Sequence, residues 1–219
     1  MSRSFAFTVF ARVIAAMAMT LLASAAPLAG AQGTQPAQGA YAQRYAAVCA
    51  SCHGANGRSD MAGTPVLAGQ HSFYAITQLF LFREGRRDNP GMSAVAKNMK
   101  DEDLRGFSEF IATLPAVPAA PPAAPPDAAR MARGQALAQM HRCVICHGAD
   151  LSGGQQVPRN AQQREDYLQM TLHGFRTGKR PGYTQAMTEA VSGIAPEDLD
   201  TLAYYVARFP GTAAKPPGK

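Results

Sequence analysis

All the cysteines of this 219-residue chain lie in two short motifs of the form C-x-x-C-H. One motif runs from Cys49 to His53 and the other from Cys143 to His147. On one helical turn, two cysteines three positions apart and the histidine after them face one side, which suits a flat macrocycle. Paired thiols followed by an imidazole are typical of covalent haem attachment. We therefore expect two c-type haems, attached through Cys49, Cys52, Cys143 and Cys146, with their irons bound by His53 and His147.

Two other readings of a cysteine pair are possible, a thioredoxin-like redox pair and half of a zinc site. A redox pair does not need the histidine that follows each motif. A zinc site needs further ligands near each pair. The presence of two complete motifs in one chain favours haem attachment.

An iron bound by one histidine has a sixth position, which methionine, a second histidine, cysteine or an open site can account for. Cysteine is excluded because all four thiols are used in attachment. Met92 and Met187 lie 39 and 40 residues after the two motif histidines, in matching loops, and we predict them as the axial ligands. Met99 matches Ile194 in the second copy, which indicates packing. Three histidines do not recur and are expected at the surface: His71, His141 and His173.

Other residues recur close to the predicted haem sites. Pro65 and Pro158 stand 12 and 11 residues after the motif histidines, either as carbonyl acceptors that orient the imidazoles or as ordinary loop prolines. The basic pairs at 86–87 and 179–180 either bind haem propionates or are solvated.

The elements around the motifs form an internal duplication, with offsets of 93 to 95 residues between matching positions. Each copy ends in an amphipathic helix with apolar residues at i, i+3, i+7 and i+10. These stripes are Leu104, Phe107, Ile111 and Leu114, and Leu199, Leu202, Val206 and Phe209. A middle helix is predicted over 73–83 and 167–176, and a helix entering each motif begins near Tyr41 and Arg130. No strand pattern occurs, so we expect an all-α fold.

Composition suggests how the chain is divided. The stretch 115–126 is rich in proline and alanine, which favours an extended, semi-rigid spacer. The expected segments are a signal peptide at 1–31, a flexible N-terminus at 32–40, a first domain at 41–114, a linker at 115–126, a second domain at 127–210 and a flexible tail at 211–219. Each domain is small for a self-supporting core, and a bound haem would supply apolar surface.

The first 31 residues have the form of a secretory signal. Arg3 and Arg12 precede an apolar run over 13–22, and small residues follow with cleavage sites after Ala25 or Ala31. An uncleaved anchor helix is the alternative. Export is consistent with haem attachment outside the cytoplasm, and we expect a periplasmic protein that is soluble or loosely membrane-associated.

The net charge of +6 gives little support for binding nucleic acid. Removal of the signal leaves +4, and four haem propionates would bring the holoprotein close to neutral. Nucleic-acid binding usually requires lysines and arginines clustered on one face, and the sequence gives no support for such a cluster. We expect neither a nucleic acid nor a small-molecule substrate.

These residues resemble the dihaem cytochrome c4 family over about residues 41–210. Besides the two motifs, the resemblance rests on P-V-L-A-G-Q at 65–70, Tyr74, G-R at 85–86, M-S at 92–93 and D-E-D-L at 101–104. It implies two tandem class I cytochrome c domains related by a pseudo-twofold axis, each with histidine–methionine iron. The second copy departs from the pattern, because Asn160 and Gln162 stand where the family has leucine and glycine.

The resemblance also implies a function. Members of the family carry electrons from the quinol-oxidising side of respiration toward terminal oxidases. We expect an electron-transfer protein and not an enzyme, because a six-coordinate iron has no open position for a substrate. The alternative is a dihaem cytochrome subunit of a periplasmic dehydrogenase complex that oxidises sulfide or an alcohol.

Overall fold

The computed structural model describes residues 35–120, 124–182 and 184–211, with side chains from residue 39 onward. The predicted signal peptide at 1–31 lies outside the described residues, as do 32–34 and nearly all of the predicted tail. Among the described residues, no helix is long and apolar enough to cross a membrane.

The first copy consists of five helices. They are α1 (Gln35–Val48), α2 (Ala50–His53), α3 (Ser72–Arg83), α4 (Pro90–Ala96) and α5 (Asp101–Thr113). Helix α5 packs against both α1 and α3. The core between them is a buried cluster that includes Tyr45, Leu79, Leu104, Phe107 and Ile111. The amphipathic stripe of the terminal helix therefore faces the core, as its spacing predicts.

The second copy repeats this arrangement. Its helices are α6 (Ala128–Met140), α7 (Cys143–His147), α8 (Glu165–Arg176), α9 (Ala186–Val191) and α10 (Pro196–Arg208). Helix α10 packs against α6 and α8, as α5 packs against α1 and α3. The only β-type pairing among the described residues is an isolated bridge between Gly154 and Val157. The all-α prediction is confirmed.

Two expectations about local structure need correction. Helix α1 begins at Gln35 and not near Tyr41, so part of the stretch at 32–40 that was expected to be flexible is helical. Pro36 is tolerated there because it lies in the first turn, where a missing N–H breaks no helical hydrogen bond. Met92 and Met187 lie in the short helices α4 and α9 and not in loops. Helix α4 forms because the Asn89 side chain caps it, accepting a 2.9 Å hydrogen bond from the Met92 N–H.

A glycine lets the entry and terminal helices of each copy approach closely. A Cβ on Gly106 would overlap the Tyr41 ring, and one on Gly134 would overlap the Tyr205 Cβ. In the first copy the glycine is on the terminal helix, and in the second it is on the entry helix. A larger residue at either place would force the two helices apart.

The loops that follow the haem motifs keep one backbone conformation in both copies. The N–H groups of Leu67 and Ala68 donate to the Gly57 carbonyl, and those of Asn160 and Ala161 donate to the Leu151 carbonyl. Gly69 has φ of 75°, and its counterpart Gln162 has φ of 61°. The loop of the second copy therefore keeps its shape although a non-glycine residue in the left-handed region costs about 1 kcal/mol.

Candidate haem sites and the contact between the two copies

The two motif histidines are buried and held in the same way. His53 is 6% exposed and His147 is 7% exposed, each at the end of a short helix, α2 or α7. The Nδ1 atom of His53 lies 3.0 Å from the Pro65 carbonyl oxygen, and that of His147 lies 3.2 Å from the Pro158 carbonyl oxygen. The expected carbonyl acceptors are therefore present. With Nδ1 used in this way, Nε2 is the nitrogen available to a metal.

Burial also favours the neutral form of both imidazoles. It lowers the pKa of His53 and of His147, and the hydrogen bonds to the two proline carbonyls offset only part of this effect. A neutral imidazole is the form that binds a metal. Both histidines are therefore ready to act as ligands at neutral pH.

The first cysteine of each motif and the predicted methionine of the same copy pack against one hydrophobic cluster, whereas the second cysteines, Cys52 and Cys146, are exposed. Cys49 and Met92 both pack against the core of the first copy, and Cys143 and Met187 both pack against that of the second. None of the four cysteines is paired in a disulfide, so all of them are available for thioether bonds. Met99 also packs against the first core and Ile194 is buried in the second, as expected of packing residues.

Two glutamines join the copies in a reciprocal arrangement that the sequence did not predict. Gln163 Oε1 accepts from the Val66 N–H at 2.7 Å, and its Nε2 donates to the Val66 carbonyl at 2.9 Å. Gln70 makes the same pair of bonds to the backbone of Arg159, at 3.1 and 2.6 Å. Gln70 and Gln163 are counterparts in the internal duplication, 93 residues apart. This recurrence was the only sign of the contact in the sequence. The contact has the self-complementary form of a twofold interface.

Further polar contacts between the copies surround the glutamines. Asp166 accepts a hydrogen bond from the Gly63 N–H at 2.9 Å. His71 Nε2 lies 2.9 Å from the Ser152 carbonyl oxygen, so this histidine is an interface residue, whereas a surface role was expected. From the linker, the Ala119 N–H donates to the Gln162 carbonyl at 2.9 Å, which fixes the spacer against the second copy.

Two arginines meet two tyrosines at this contact, in what we call the Arg–Tyr cluster: Arg87, Arg180, Tyr74 and Tyr167. Arg87 and Arg180 both donate to the Tyr167 hydroxyl, at 3.0 and 3.2 Å, and Arg180 also reaches the Tyr74 hydroxyl at 3.4 Å. Burial on its own raises the pKa of Tyr167, but the two guanidinium charges outweigh it and lower that pKa below its usual value. The neighbours Arg86 and Lys179 are exposed, so only the second member of each basic pair enters the cluster.

The residues present fit two c-type haems. Each copy has two cysteines that form no disulfide, a buried imidazole oriented by a proline carbonyl, and a methionine that packs on the same cluster as the first of the cysteines. Among the described residues, Arg87 donates to Gln78 and Tyr167, and Arg180 donates to Tyr167, Tyr74 and Thr171, so the side-chain partners of both arginines there are neutral groups and not carboxylates. No group of three or more His, Cys, Asp or Glu side chains that could hold a metal ion occurs in the described part of the chain.

Comparison with known proteins decides between these readings of the motifs. A family model for cytochrome c matches residues 40–115 and 131–209. A cytochrome c4 from Thiocapsa roseopersicina is 30% identical over 170 residues, which cover 73% of this chain and 85% of that protein. The chain belongs to the dihaem cytochrome c4 family.

Two further comparisons extend this result. A thiosulfate dehydrogenase electron acceptor from Stutzerimonas stutzeri is 32% identical over 170 residues, which cover 74% of this chain and 79% of that protein. The crystal structure of reduced cytochrome c4 from Pseudomonas stutzeri matches with a TM-score of 0.70 at 23% identity, covering 78% of this chain and 98% of that one, and it supports the fold.

Membership of the cytochrome c4 family establishes the cofactors and the general role. The chain has two tandem cytochrome c domains and carries two covalent c-type haems at its two cysteine pairs. It is a dihaem electron-transfer protein, and its partners are redox proteins. When bound, each haem supplies an iron that gains and loses one electron.

Proposed function

We propose that this protein is a periplasmic carrier that passes electrons from a quinol-oxidising respiratory complex to a terminal oxidase. The observation that supports it best is the pair of matching sites, each with a buried imidazole fixed by a proline carbonyl. Matched sites tied together by reciprocal hydrogen bonds suit entry of an electron at one domain and exit at the other. The signal-like segment at 1–31 supports the periplasmic location. We also propose that the chain divides into domains at 41–114 and 127–210, joined by a linker at 115–126.

The proposed iron ligands are His53 and Met92 in the first domain and His147 and Met187 in the second. Their support is the neutral, oriented imidazoles and the packing of both methionines on the cluster that holds an attachment cysteine. Methionine ligation raises the reduction potential toward the range of respiratory carriers. It also fills the sixth position, so we expect no turnover of small substrates.

The proposed role of the Arg–Tyr cluster is to hold haem propionates at the domain contact. Two half-buried guanidinium groups without a carboxylate partner in the described residues favour an anion, and arginine suits carboxylates. We expect Arg180→Gln to lower the haem potentials, because a nearby cation favours the reduced, less positive iron. Lys179→Gln is the matched control, since its side chain is exposed, and an equal shift in both variants would contradict the assignment.

The carrier proposal is tested by following haem absorbance in two steps. Purified holoprotein is first mixed with membranes that oxidise quinol, and the reduced protein is then mixed with oxidase-containing membranes. We expect reduction that specific inhibitors of the quinol-oxidising complex abolish, followed by cyanide-sensitive oxidation. Failure of both steps with active membranes would overturn the proposal. Fractionation of cells should recover the haem protein in the periplasm.

A second candidate function is the electron acceptor of a periplasmic dehydrogenase. It is favoured by the relative named as a thiosulfate dehydrogenase electron acceptor, which is as similar to this chain as the cytochrome c4 relatives are. The test adds thiosulfate and a purified thiosulfate dehydrogenase to the oxidised protein. Rapid reduction that depends on the dehydrogenase would favour this role, and reduction by thiosulfate alone would indicate that the protein is itself an enzyme.

A further inference from the structure

One residue beside the iron-binding histidine distinguishes the two haem domains. The backbones of Leu67 and Asn160 take the same place, because their N–H groups donate to matching carbonyls of Gly57 and Leu151 at 2.8 and 2.9 Å. The Leu67 side chain packs against the hydrophobic cluster of the first domain. The Asn160 side chain instead brings a polar amide to the equivalent place in the second domain.

This amide reaches the nitrogen that orients the imidazole. The Asn160 amide nitrogen lies 3.0 Å from His147 Nδ1, while the Pro158 carbonyl oxygen lies 3.2 Å from the same atom. In the first domain, among the described residues, His53 Nδ1 has one polar partner, the Pro65 carbonyl oxygen at 3.0 Å. The imidazole of the second domain therefore has two polar partners at Nδ1 where that of the first has one.

The protonation of the imidazole determines how the amide must be oriented. A histidine that binds iron through Nε2 keeps its hydrogen on Nδ1, so Nδ1 is a donor and needs acceptors. A half-turn of the Asn160 amide puts its oxygen where the nitrogen lies, since the two ends have nearly the same shape. In that orientation Pro158 and Asn160 share the Nδ1 hydrogen as two acceptors.

We propose that Asn160 is a positioning residue that acts through His147 to lower the reduction potential of the second haem relative to a site that has leucine there. This inference rests on the proposed ligation of iron by His147. A second acceptor draws the Nδ1 hydrogen further from the ring and raises the basicity of the ligand. A more basic imidazole stabilises ferric iron, so the oxidised state is favoured at this site alone.

The test is spectroelectrochemical titration of the full holoprotein in two reciprocal variants. We expect Asn160→Leu to raise the potential of one haem by a roughly threefold change in its ferric-to-ferrous ratio, which corresponds to ~28 mV at 59 mV per tenfold change. The potential of the other haem should stay unchanged. Leu67→Asn should lower the potential of that other haem instead. The inference is overturned if Asn160→Leu leaves both potentials unchanged or shifts them equally.

Two further measurements separate this effect from altered packing. Asn160→Asp keeps an acceptor oxygen, so the potential of the second haem should stay at or below that of wild type. In ferrous protein, the Nδ1 proton resonance of one ligand histidine should move upfield in Asn160→Leu, which loses an acceptor, and should not move upfield in Asn160→Asp, whose carboxylate is a stronger acceptor; a fixed resonance in Asn160→Leu would contradict the proposal. If ferrous wild type showed the Nδ1 proton resonance of a ligand histidine at only one haem, the proposed ligation by His147 would fail independently of Asn160, which keeps the two failures distinct.

Discussion

Gln163 of the second domain holds both backbone groups of Val66 in the first, accepting from its N–H at 2.7 Å and donating to its carbonyl at 2.9 Å. Val66 follows Pro65, whose carbonyl oxygen lies 3.0 Å from His53 Nδ1. The reciprocal contacts start from the first domain. Gln70 binds both backbone groups of Arg159 in the second domain, and Arg159 follows Pro158, whose carbonyl oxygen lies 3.2 Å from His147 Nδ1. Each motif histidine is therefore held by a loop that a glutamine of the opposite domain holds in place.

The first prediction concerns these glutamines. Gln163→Ala leaves the Val66 N–H and carbonyl without their side-chain partners in a place where Val66 is 4% exposed and Gln163 is 5% exposed. An unsatisfied buried polar group costs about 1–3 kcal/mol, so we expect a loss of unfolding free energy in this range. Urea unfolding followed by far-UV circular dichroism measures it. Gln139→Ala, at an exposed position on α6, is the control, and an equal loss there would contradict the prediction.

The second prediction concerns haem content. Replacing both cysteines of one motif with serine removes the two thioether bonds of that site and leaves the other site intact. We expect one covalent haem per chain in Cys49→Ser/Cys52→Ser and in Cys143→Ser/Cys146→Ser, against two in wild type. A pyridine haemochrome assay on protein of known concentration measures the ratio. A single haem in wild type would refute attachment at both motifs.

The third prediction concerns the sixth ligands. Oxidised protein should show the weak near-red charge-transfer band of methionine-bound ferric haem, with equal contributions from two sites. We expect Met92→His to remove about half of the band and Met187→His the other half, because histidine replaces the thioether on iron. Met99→Leu is the matched control, since Met99 packs against the same cluster as Met92. If it abolished the band while Met92→His did not, the alignment of the two copies would be wrong.

The regular part of the fold could be predicted because amphipathic helices have a strong periodic signal. The middle helices begin and end within about two residues of their predicted bounds, as α3 over Ser72–Arg83 and α8 over Glu165–Arg176 show, and the predicted apolar stripes of the terminal helices lie along α5 and α10. The short helices around Met92 and Met187 were missed, because a turn or two is determined by a cap such as Asn89 and carries no periodicity. Recurrence of Pro65 and Pro158 was enough to suggest their role.

The contact between the domains could not be predicted in the same way. Gln70 and Gln163 bind backbone groups of the other copy. Because backbone N–H and carbonyl groups occur at almost every position, the sequence does not show which residues these glutamines bind. Asn160 was recognised as a departure from the family pattern, but its contact with His147 depends on the loop conformation that Leu151 and Gln162 adopt at positive φ. The haem chemistry is therefore visible in the sequence, whereas the hydrogen bonds between the domains are visible only in the structure.

The last prediction concerns pH and the ion pair between α1 and α5. A hydrogen bond from Arg44 lowers the pKa of the Asp103 carboxyl, partial burial opposes this effect, and the Lys100 N–H adds to the lowering. Because the pKa is lower in the folded state than the ~3.9 of an unfolded aspartate, the carboxylate stabilises the fold above that pH. The stabilisation is lost as pH falls through the folded pKa.

The matching variant is Asp103→Asn, which keeps an oxygen for the Lys100 N–H but removes the charge. Solvent screens the pair, since the Arg44 side chain is 46% exposed, so we expect a loss of about 0.5–1 kcal/mol at pH 7. The difference from wild type should shrink as pH falls below ~3.9, because the wild-type carboxyl then takes up its proton as pH approaches its lowered folded pKa. Urea unfolding at pH 7 and at pH 2.5 to 3 measures it, with Asp60→Asn, whose side chain is 76% exposed, as the control. A loss of the same size at both pH values would mean that packing and not charge is responsible.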